Sequence, residues 1–263
     1  MDQMIIRKTP AEIEKMRVAG AAVARCIERI VERVEPGKTT TLDIDIMAEE
    51  LIREHGGISS FKNYRGYPNT VCVAVNEEVV HGIPRDRILV PGDILGIDLG
   101  MIVNGWHGDA AVTIAVGGTA SKEATRLLRV TREALYKGIE QARPGRWLSD
   151  IGHAIQEHVE RNGFSVVRDL VGHGIGRSMH EDPHVPNYGR PGRGARLEEG
   201  MTFAIEPMVN AGGHRVETLG DGWTIVSKDR SLSAHFEHTV AVRRDGPDIL
   251  TLVPAEEALS VNG

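Results

Sequence analysis

The chain has 263 residues, with 31 Lys and Arg against 37 Asp and Glu, a formal net charge of −6, and 41% hydrophobic residues. This is ordinary globular composition, long enough to bury a sizeable core without staples, and too acidic to bind nucleic acid through overall charge. No apolar run approaches the roughly 18 residues of a membrane span, the stretch Met1 to Lys8 lacks the apolar region of a signal peptide, and two cysteines, Cys26 and Cys72, cannot form a disulfide framework and read as reduced apolar side chains of a cytoplasmic protein.

Thr9-Pro10-Ala11-Glu12 opens a helix: Thr9 caps, Pro10 takes the first helical position and Glu12 completes a capping box. Apolar residues recur at helical spacing from Ile13 to Val34, and Pro36-Gly37 stops the helix. A second helix runs from Thr41 to Glu54 and ends at Gly56-Gly57. Strands follow at Thr70–Val75, Asp93–Val103 and Trp106–Val116. The pattern then recurs. A helix covers Lys122–Gln141, Ser149-Asp150 starts another that ends at Gly163, and strands are expected at Ser165–Arg168, Met201–Val209, Trp223–Val226 and Ala234–Val242. Gly37/Gly145, Gly92/Gly200 and Asp98/Glu206 share a shift of 108 residues, while His107-Gly-Asp109 and His235-Phe-Glu237 correspond at a shift of 128. Two such copies, about 9–117 and 118–245, describe one pseudo-two-fold α+β domain spanning 1–263.

Asn104-Gly105 between alternating apolar runs is a strong hairpin signal. With those residues in the turn, Asp98 faces Ala111, and Asp109 becomes its diagonal neighbour on the same face, about 7–8 Å away by Cα. Two acids among apolar neighbours repel unless a proton or a cation stands between them. Glu206, in Phe-Ala-Ile-Glu-Pro, and Glu237, in His-Phe-Glu-His-Thr, read as further acids in apolar strands. His173 lies in the glycine-rich loop Gly-His-Gly-Ile-Gly; His81 occupies the matching place in the first half, and His180 follows seven residues after His173. One histidine and four carboxylates form an oxygen-rich set that suits a pair of divalent ions, Mn, Fe(II), Co or Zn, over a tetrahedral structural zinc. Two such ions with a bridging hydroxide would drive hydrolysis.

The strings His81-Gly-Ile-Pro, Gly-Ile-Asp98-Leu-Gly, Gly-Asp109-Ala-Ala-Val-Thr, Gly-His173-Gly-Ile-Gly, Glu206-Pro and Glu237-His-Thr closely resemble those of bacterial type I methionine aminopeptidases, over nearly the whole chain. The resemblance implies the pita-bread fold, with a curved antiparallel sheet, and hydrolytic removal of the initiator methionine from nascent chains whose second residue is small and uncharged. It implies that Asp98 chelates one metal, that Asp109 and Glu237 bridge both, and that His173 and Glu206 complete the second. It makes Glu206 the proton shuttle, His180 the group that stabilises the tetrahedral intermediate, and His81 and His180 substrate contacts. Tyr64, Tyr67, Cys72 and Trp223 match the methionine pocket, and Asn76 and Ser233 match positions that hold a structural monovalent cation. Three residues depart from the commoner pattern: Phe61 and Met179 in the pocket, and His235 where glutamine is common; none is expected to touch the ligand set. The nascent-chain N-terminus is the implied partner, the ribosome a candidate contact, a membrane is not expected, and a monomer is.

An Xaa-Pro aminopeptidase or prolidase would share fold and ligands but usually carries a substantial N-terminal domain, whereas here about 70 residues precede the first expected strand and belong to the helix pair. A type II methionine aminopeptidase needs a helical insertion that the 33-residue spacing from His173 to Glu206 does not accommodate. A non-catalytic peptide-binding module on this fold would lack metal ligands, and all five are present.

Overall fold

Thr9 accepts the Glu12 N–H (3.3 Å) while the Glu12 carboxylate accepts from the Thr9 N–H (2.9 Å), and helix α1 begins on that reciprocal cap. In this computed structural model, which describes residues 5–253, α1 spans Pro10–Arg33 and α2 spans Thr41–Glu54, the latter with Thr40 and Asp43 in the same arrangement. Helix α3 spans Lys122–Ile139, where Ser121 accepts the Ala124 N–H (3.0 Å). Helix α4 spans Leu148–Arg161, one residue earlier than the Ser149-Asp150 start expected. The reason is local: Asp150 is not the cap but the third helical residue, and its carboxylate reaches back to the Trp147 N–H (2.9 Å).

Among the described residues these four helices pack on a nine-stranded antiparallel sheet. Its main path runs Ile58–Ser59, Ile94–Val103, Trp106–Ala115, Glu237–Arg243, Thr202–Ile205, Gly172–Gly174, Glu181–Val185. Cys72–Val75 also pairs with Ile94–Val103, and Gly246–Ile249 with Glu237–Arg243. Asn104 (φ 51°) and Gly105 (φ 76°) form the hairpin turn, as two-residue turns of this hand require. The register follows, with Asp98 opposite Ala111 and Gly100 opposite Asp109. Behind that hairpin, a Cβ on Gly108 would stand 2.7 Å from the Gly20 backbone nitrogen, so the missing side chain lets α1 lie directly on the strand that carries Asp109.

One core cluster joins α1 and α2 to the hairpin, around Val23, Ile30, Leu51, Leu95 and Ile97; another joins α3 and α4 to the second set of strands, around Leu127, Ile151, Phe203 and Val240. The repeat extends to backbone conformation: Gly37 and Gly145 share φ values of 78° and 82°, and Gly92 and Gly200 share 98° and 93°.

Two expected strands are interrupted. Met201–Val209 divides into Thr202–Ile205 and Met208–Asn210, which enter different sheets. Pro207 has no N–H for the ladder, so Glu206 sits at the break and not inside a strand. Ala234–Val242 likewise divides at Phe236 into Ser233–His235 and Glu237–Arg243. His173, expected in a loop, lies on the strand Gly172–Gly174, between two neighbours. Its flanking glycines explain the position. A Cβ on Gly172 would collide with the Ala204 carbonyl, and one on Gly174 with the Asp182 carbonyl. Trp223 precedes its strand, which begins at Ile225.

Candidate active site

Five elements converge on one cavity of about 150 Å³ at the centre of the sheet. Asp98 comes from Ile94–Val103, Asp109 from Trp106–Ala115, His173 from Gly172–Gly174, Glu206 from the break after Ile205, and Glu237 from the start of Glu237–Arg243; all five line the cavity. Ligand-type atoms of Asp109, His173 and Glu237 lie within 4.8 Å of one another. His173 Nε2 is 3.9 Å from Asp109 Oδ2 and 3.6 Å from Glu206 Oε1. Its Nδ1 faces the Gly174 carbonyl at 2.9 Å. That carbonyl only accepts, so Nδ1 carries the proton and the Nε2 lone pair points into the site.

Burial and mutual repulsion set the protonation of this cluster. Burial pushes the Asp109 carboxyl up to about 7. Asp98, Glu206 and Glu237 are held well above the ordinary carboxylate range, first by burial and then by charges including that of Asp109. Burial lowers His173 to about 4, keeping its imidazole neutral. Asp98 Oδ1, Asp109 Oδ1 and Glu237 Oε1 are buried with no hydrogen-bond partner among the described residues. Unpaired buried carboxylate oxygens are costly. Several of them aimed inward beside a neutral imidazole fit a divalent-metal centre: hard oxygen donors with one nitrogen.

The supports of this cluster are specific. The Asp109 N–H donates to Thr239 Oγ1 (3.0 Å), whose hydroxyl donates to the Asp109 carbonyl (2.8 Å), joining the Asp109 and Glu237 strands. Asp45 accepts from the Thr70 and Val71 N–H groups (2.7 and 3.2 Å) at the root of the strand that carries Cys72.

His180 stands at the mouth, next to the strand Glu181–Val185. Its ring stacks on Tyr64 (centroids 5.3 Å, 12° between planes) and lies 4.2 Å from the His173 ring. The Tyr64 hydroxyl meets His180 Nδ1 at 2.9 Å. With the phenol donating, Nε2 keeps the proton and is a donor. Desolvation, with His173 and Arg65 nearby, holds His180 well below its ordinary value. Beneath it, Lys8 and Glu181 form a buried ion pair at 2.5 Å, and Glu181 Oε1 accepts the Arg177 N–H (2.9 Å), fixing the turn that presents His180. His81 lines the cavity from a left-handed backbone position, φ 57°.

Phe61, Tyr64, Tyr67, Cys72, Met179 and Trp223 supply the rest of the wall. Tyr67 and Trp223 meet edge to face at 5.2 Å, and the Tyr67 hydroxyl donates to the Gly82 carbonyl at 2.9 Å. Asp221 accepts the backbone N–H groups of Trp223 and Thr224 (2.8 Å each), fixing the turn from which the indole projects. Burial pushes the Cys72 thiol up, leaving it neutral and apolar. Cys26 is likewise in no disulfide and belongs to a different core cluster, its Sγ 3.8 Å from His55 Nδ1. Asn76 and Ser233 do not line the cavity. The Ser233 N–H donates to the Asn76 carbonyl (2.8 Å), and the Asn76 side chain is taken by Asp93 and the Ile94 N–H.

One expectation is overturned. The resemblance sets His235 apart from the ligand set, yet its Nε2 lies 3.8 Å from Glu206 Oε2 and 3.9 Å from Glu237 Oε2, buried and without a hydrogen-bond partner among the described residues. The signal was present in the sequence, in the correspondence of His107-Gly-Asp109 with His235-Phe-Glu237. The two histidines diverge in space, because His107 Nδ1 pairs with Ser60 Oγ (2.9 Å). Arg65, which also lines the cavity, left no comparable signal.

A family model, metallopeptidase family M24, matches residues 14–244. A methionine aminopeptidase of Clostridium perfringens is 54% identical over 95% of this chain and 100% of its own length, and methionine aminopeptidase 1 of Bacillus subtilis is 52% identical with the same coverage. The crystal structure of the methionine aminopeptidase from Thermotoga maritima superposes with a TM-score of 0.92 at 48% identity, covering 94% of this chain and 99% of that one. The prolidase of Pyrococcus furiosus shares the fold alone, with a TM-score of 0.76 at 23% identity, and this chain spans 66% of it. The architecture is the pita-bread fold, and the chain belongs to the methionine aminopeptidases of metallopeptidase family M24.

Proposed function

We propose that the chain removes the initiator methionine from nascent polypeptides whose second residue is small and uncharged, using two divalent ions held by Asp98, Asp109, His173, Glu206 and Glu237. The observation that carries this reading is the set of buried carboxylate oxygens, without hydrogen-bond partners among the described residues, that line one cavity with a neutral His173 and an aromatic wall. When bound, such ions supply Lewis acidity toward a carbonyl oxygen and lower the pKa of water.

The chain's own residues do the rest. Glu206, at the break after Ile205 among the other four ligands, is the carboxylate assigned to take a proton from water and pass it to the departing amine. His180, with Nδ1 engaged by Tyr64, directs its Nε2–H at the cavity and donates to the oxygen that gains charge in the transition state. His81, which lines the same cavity, is assigned as a further substrate contact. Phe61, Tyr67, Cys72, Met179 and Trp223 receive the side chain: a largely aromatic and apolar wall suits an unbranched thioether. The second residue must pass beside the ligand cluster, so bulk there clashes.

The sheet runs through both halves, which supports treating 1–263 as one catalytic unit. Among the described residues no helix is long and apolar enough to cross a membrane. A cytoplasmic site of action, where nascent chains emerge, belongs to this reading, as does a monomer. Asn76 and Ser233 remain the proposed holders of a monovalent cation through their neighbourhood.

The test is to strip the protein of metal, restore Mn, Fe(II), Co or Zn in turn, and compare Met-Ala, Met-Leu and Ala-Pro peptides. Met-Ala is expected to be cleaved best, and only with metal. Preferential cleavage of Ala-Pro, or metal-independent turnover, overturns the reading.

A further inference from the structure

The geometry points to His235 as a further metal ligand: its Nε2 shares a divalent ion with the Glu206 and Glu237 carboxylates, so the centre carries two imidazoles. This rests on the metallopeptidase reading above.

His235 is 4% exposed, and its Nε2 has no hydrogen-bond partner among the described residues. A buried ring nitrogen without a partner is costly, and the groups it faces are the Glu206 and Glu237 carboxylates. Its distances to them, 3.8 and 3.9 Å, are too long for hydrogen bonds. They are the right length for atoms that share an ion. Donors each about 2.0–2.2 Å from one metal can stand up to about 4.2 Å apart. His173 meets its own carboxylate neighbours at 3.6 and 3.9 Å, so by spacing the two histidines are equivalent. Glu206 stands between them, Oε1 toward His173 and Oε2 toward His235. Ligand-type atoms of Glu206, His235 and Glu237 gather within 4.8 Å, as do those of Asp109, His173 and Glu237.

The backbone aims the ring. The His235 N–H donates to Thr113 Oγ1 (2.9 Å), and that hydroxyl donates to the His235 carbonyl (2.7 Å). On the other side His235 pairs with Met208, two residues after Glu206. A second nitrogen donor shifts the preference of the centre toward zinc, cobalt and ferrous iron and away from manganese.

X-ray absorption on protein loaded with two zinc ions per chain counts the imidazoles bound. The expected result is two imidazoles per zinc pair in the unaltered protein, one in His235→Gln and one in His173→Gln. Zinc affinity measured by calorimetry should fall about tenfold or more in His235→Gln. A histidine that merely orients Glu206 would also weaken affinity but would leave the imidazole count unchanged, and that result overturns the inference while the metallopeptidase reading stands. One imidazole in the unaltered protein overturns it as well, independently of whether any variant folds. Failure of the unaltered protein to take up divalent metal overturns the metallopeptidase reading itself.

Discussion

Thr239 and Asp109 hold each other by reciprocal hydrogen bonds, with one threonine hydroxyl accepting from the Asp109 N–H and donating to its carbonyl. Thr113 does the same to His235. These contacts lie on either side of the paired residues Glu237 and Ala111, where the two central strands meet. A side-chain hydroxyl thus continues the ladder past each end of a short backbone pairing, directly beside the carboxylates.

Thr239→Val removes that hydroxyl at constant shape and leaves the Asp109 backbone groups buried and unpaired. A loss of about 1–3 kcal/mol in unfolding free energy is expected, together with weaker metal retention. Urea unfolding of the variant, with and without metal, measures both. An unchanged midpoint would show that the clamp contributes nothing.

Asp109→Asn keeps the shape of the proposed bridging position and removes its charge. Metal-dependent turnover should fall by more than about 100-fold, since even supporting residues of metal centres are worth about 10–100-fold. The metal-free fold should persist, because a buried charge has been removed from a repelling cluster. Circular dichroism and peptide assays in parallel check this, and normal turnover would remove Asp109 from the ligand set.

The carboxylate cluster makes the metal-free protein sensitive to pH in a defined sense. Asp109 is raised from its ordinary 3.8 to about 7. A raised folded-state value favours the folded form fully below the unfolded pKa, and that contribution is lost as pH climbs through the folded one. Chelator-treated protein should therefore lose stability between pH 4 and 7, by an amount on the order of a few kcal/mol. Asp98, Glu206 and Glu237 shift in the same direction. Metal binding needs these groups ionised, so its affinity should rise over the same window with release of protons. Urea midpoints that stay level from pH 4 to 7 in chelator would contradict the prediction.

Lys8 and Glu181 are a buried pair, with side chains 3% and 6% exposed, joining the segment before α1 to the turn that carries His180. Glu181→Ala leaves an uncompensated buried ammonium, and a cost of roughly 3–5 kcal/mol is expected. Because Glu181 also accepts the Arg177 and Ser178 N–H groups, kcat should drop as His180 loses its fixed position. A variant with unaltered thermal stability would show that the pair is dispensable.

Local chemistry is legible without the fold. Thr9 with Glu12 and Thr40 with Asp43 start α1 and α2 through contacts three residues apart, and Asn104-Gly105 sets a register that places Asp98 diagonal to Asp109. The matched glycines of the two halves carry the same backbone conformations for the same reason. Glu206, His173 and His235 are different. The break at Pro207 sends one strand into two sheets, and the close packing around Gly172 and Gly174 turns an apparent loop into a central strand. Whether His235 faces solvent, as a strand residue well could, or the Glu206 and Glu237 carboxylates depends on Thr113, 122 residues away. Periodicity and turn signals report neighbours a few residues apart. Contacts between distant segments form only when the strands assemble, and that assembly decided which histidines face the carboxylates.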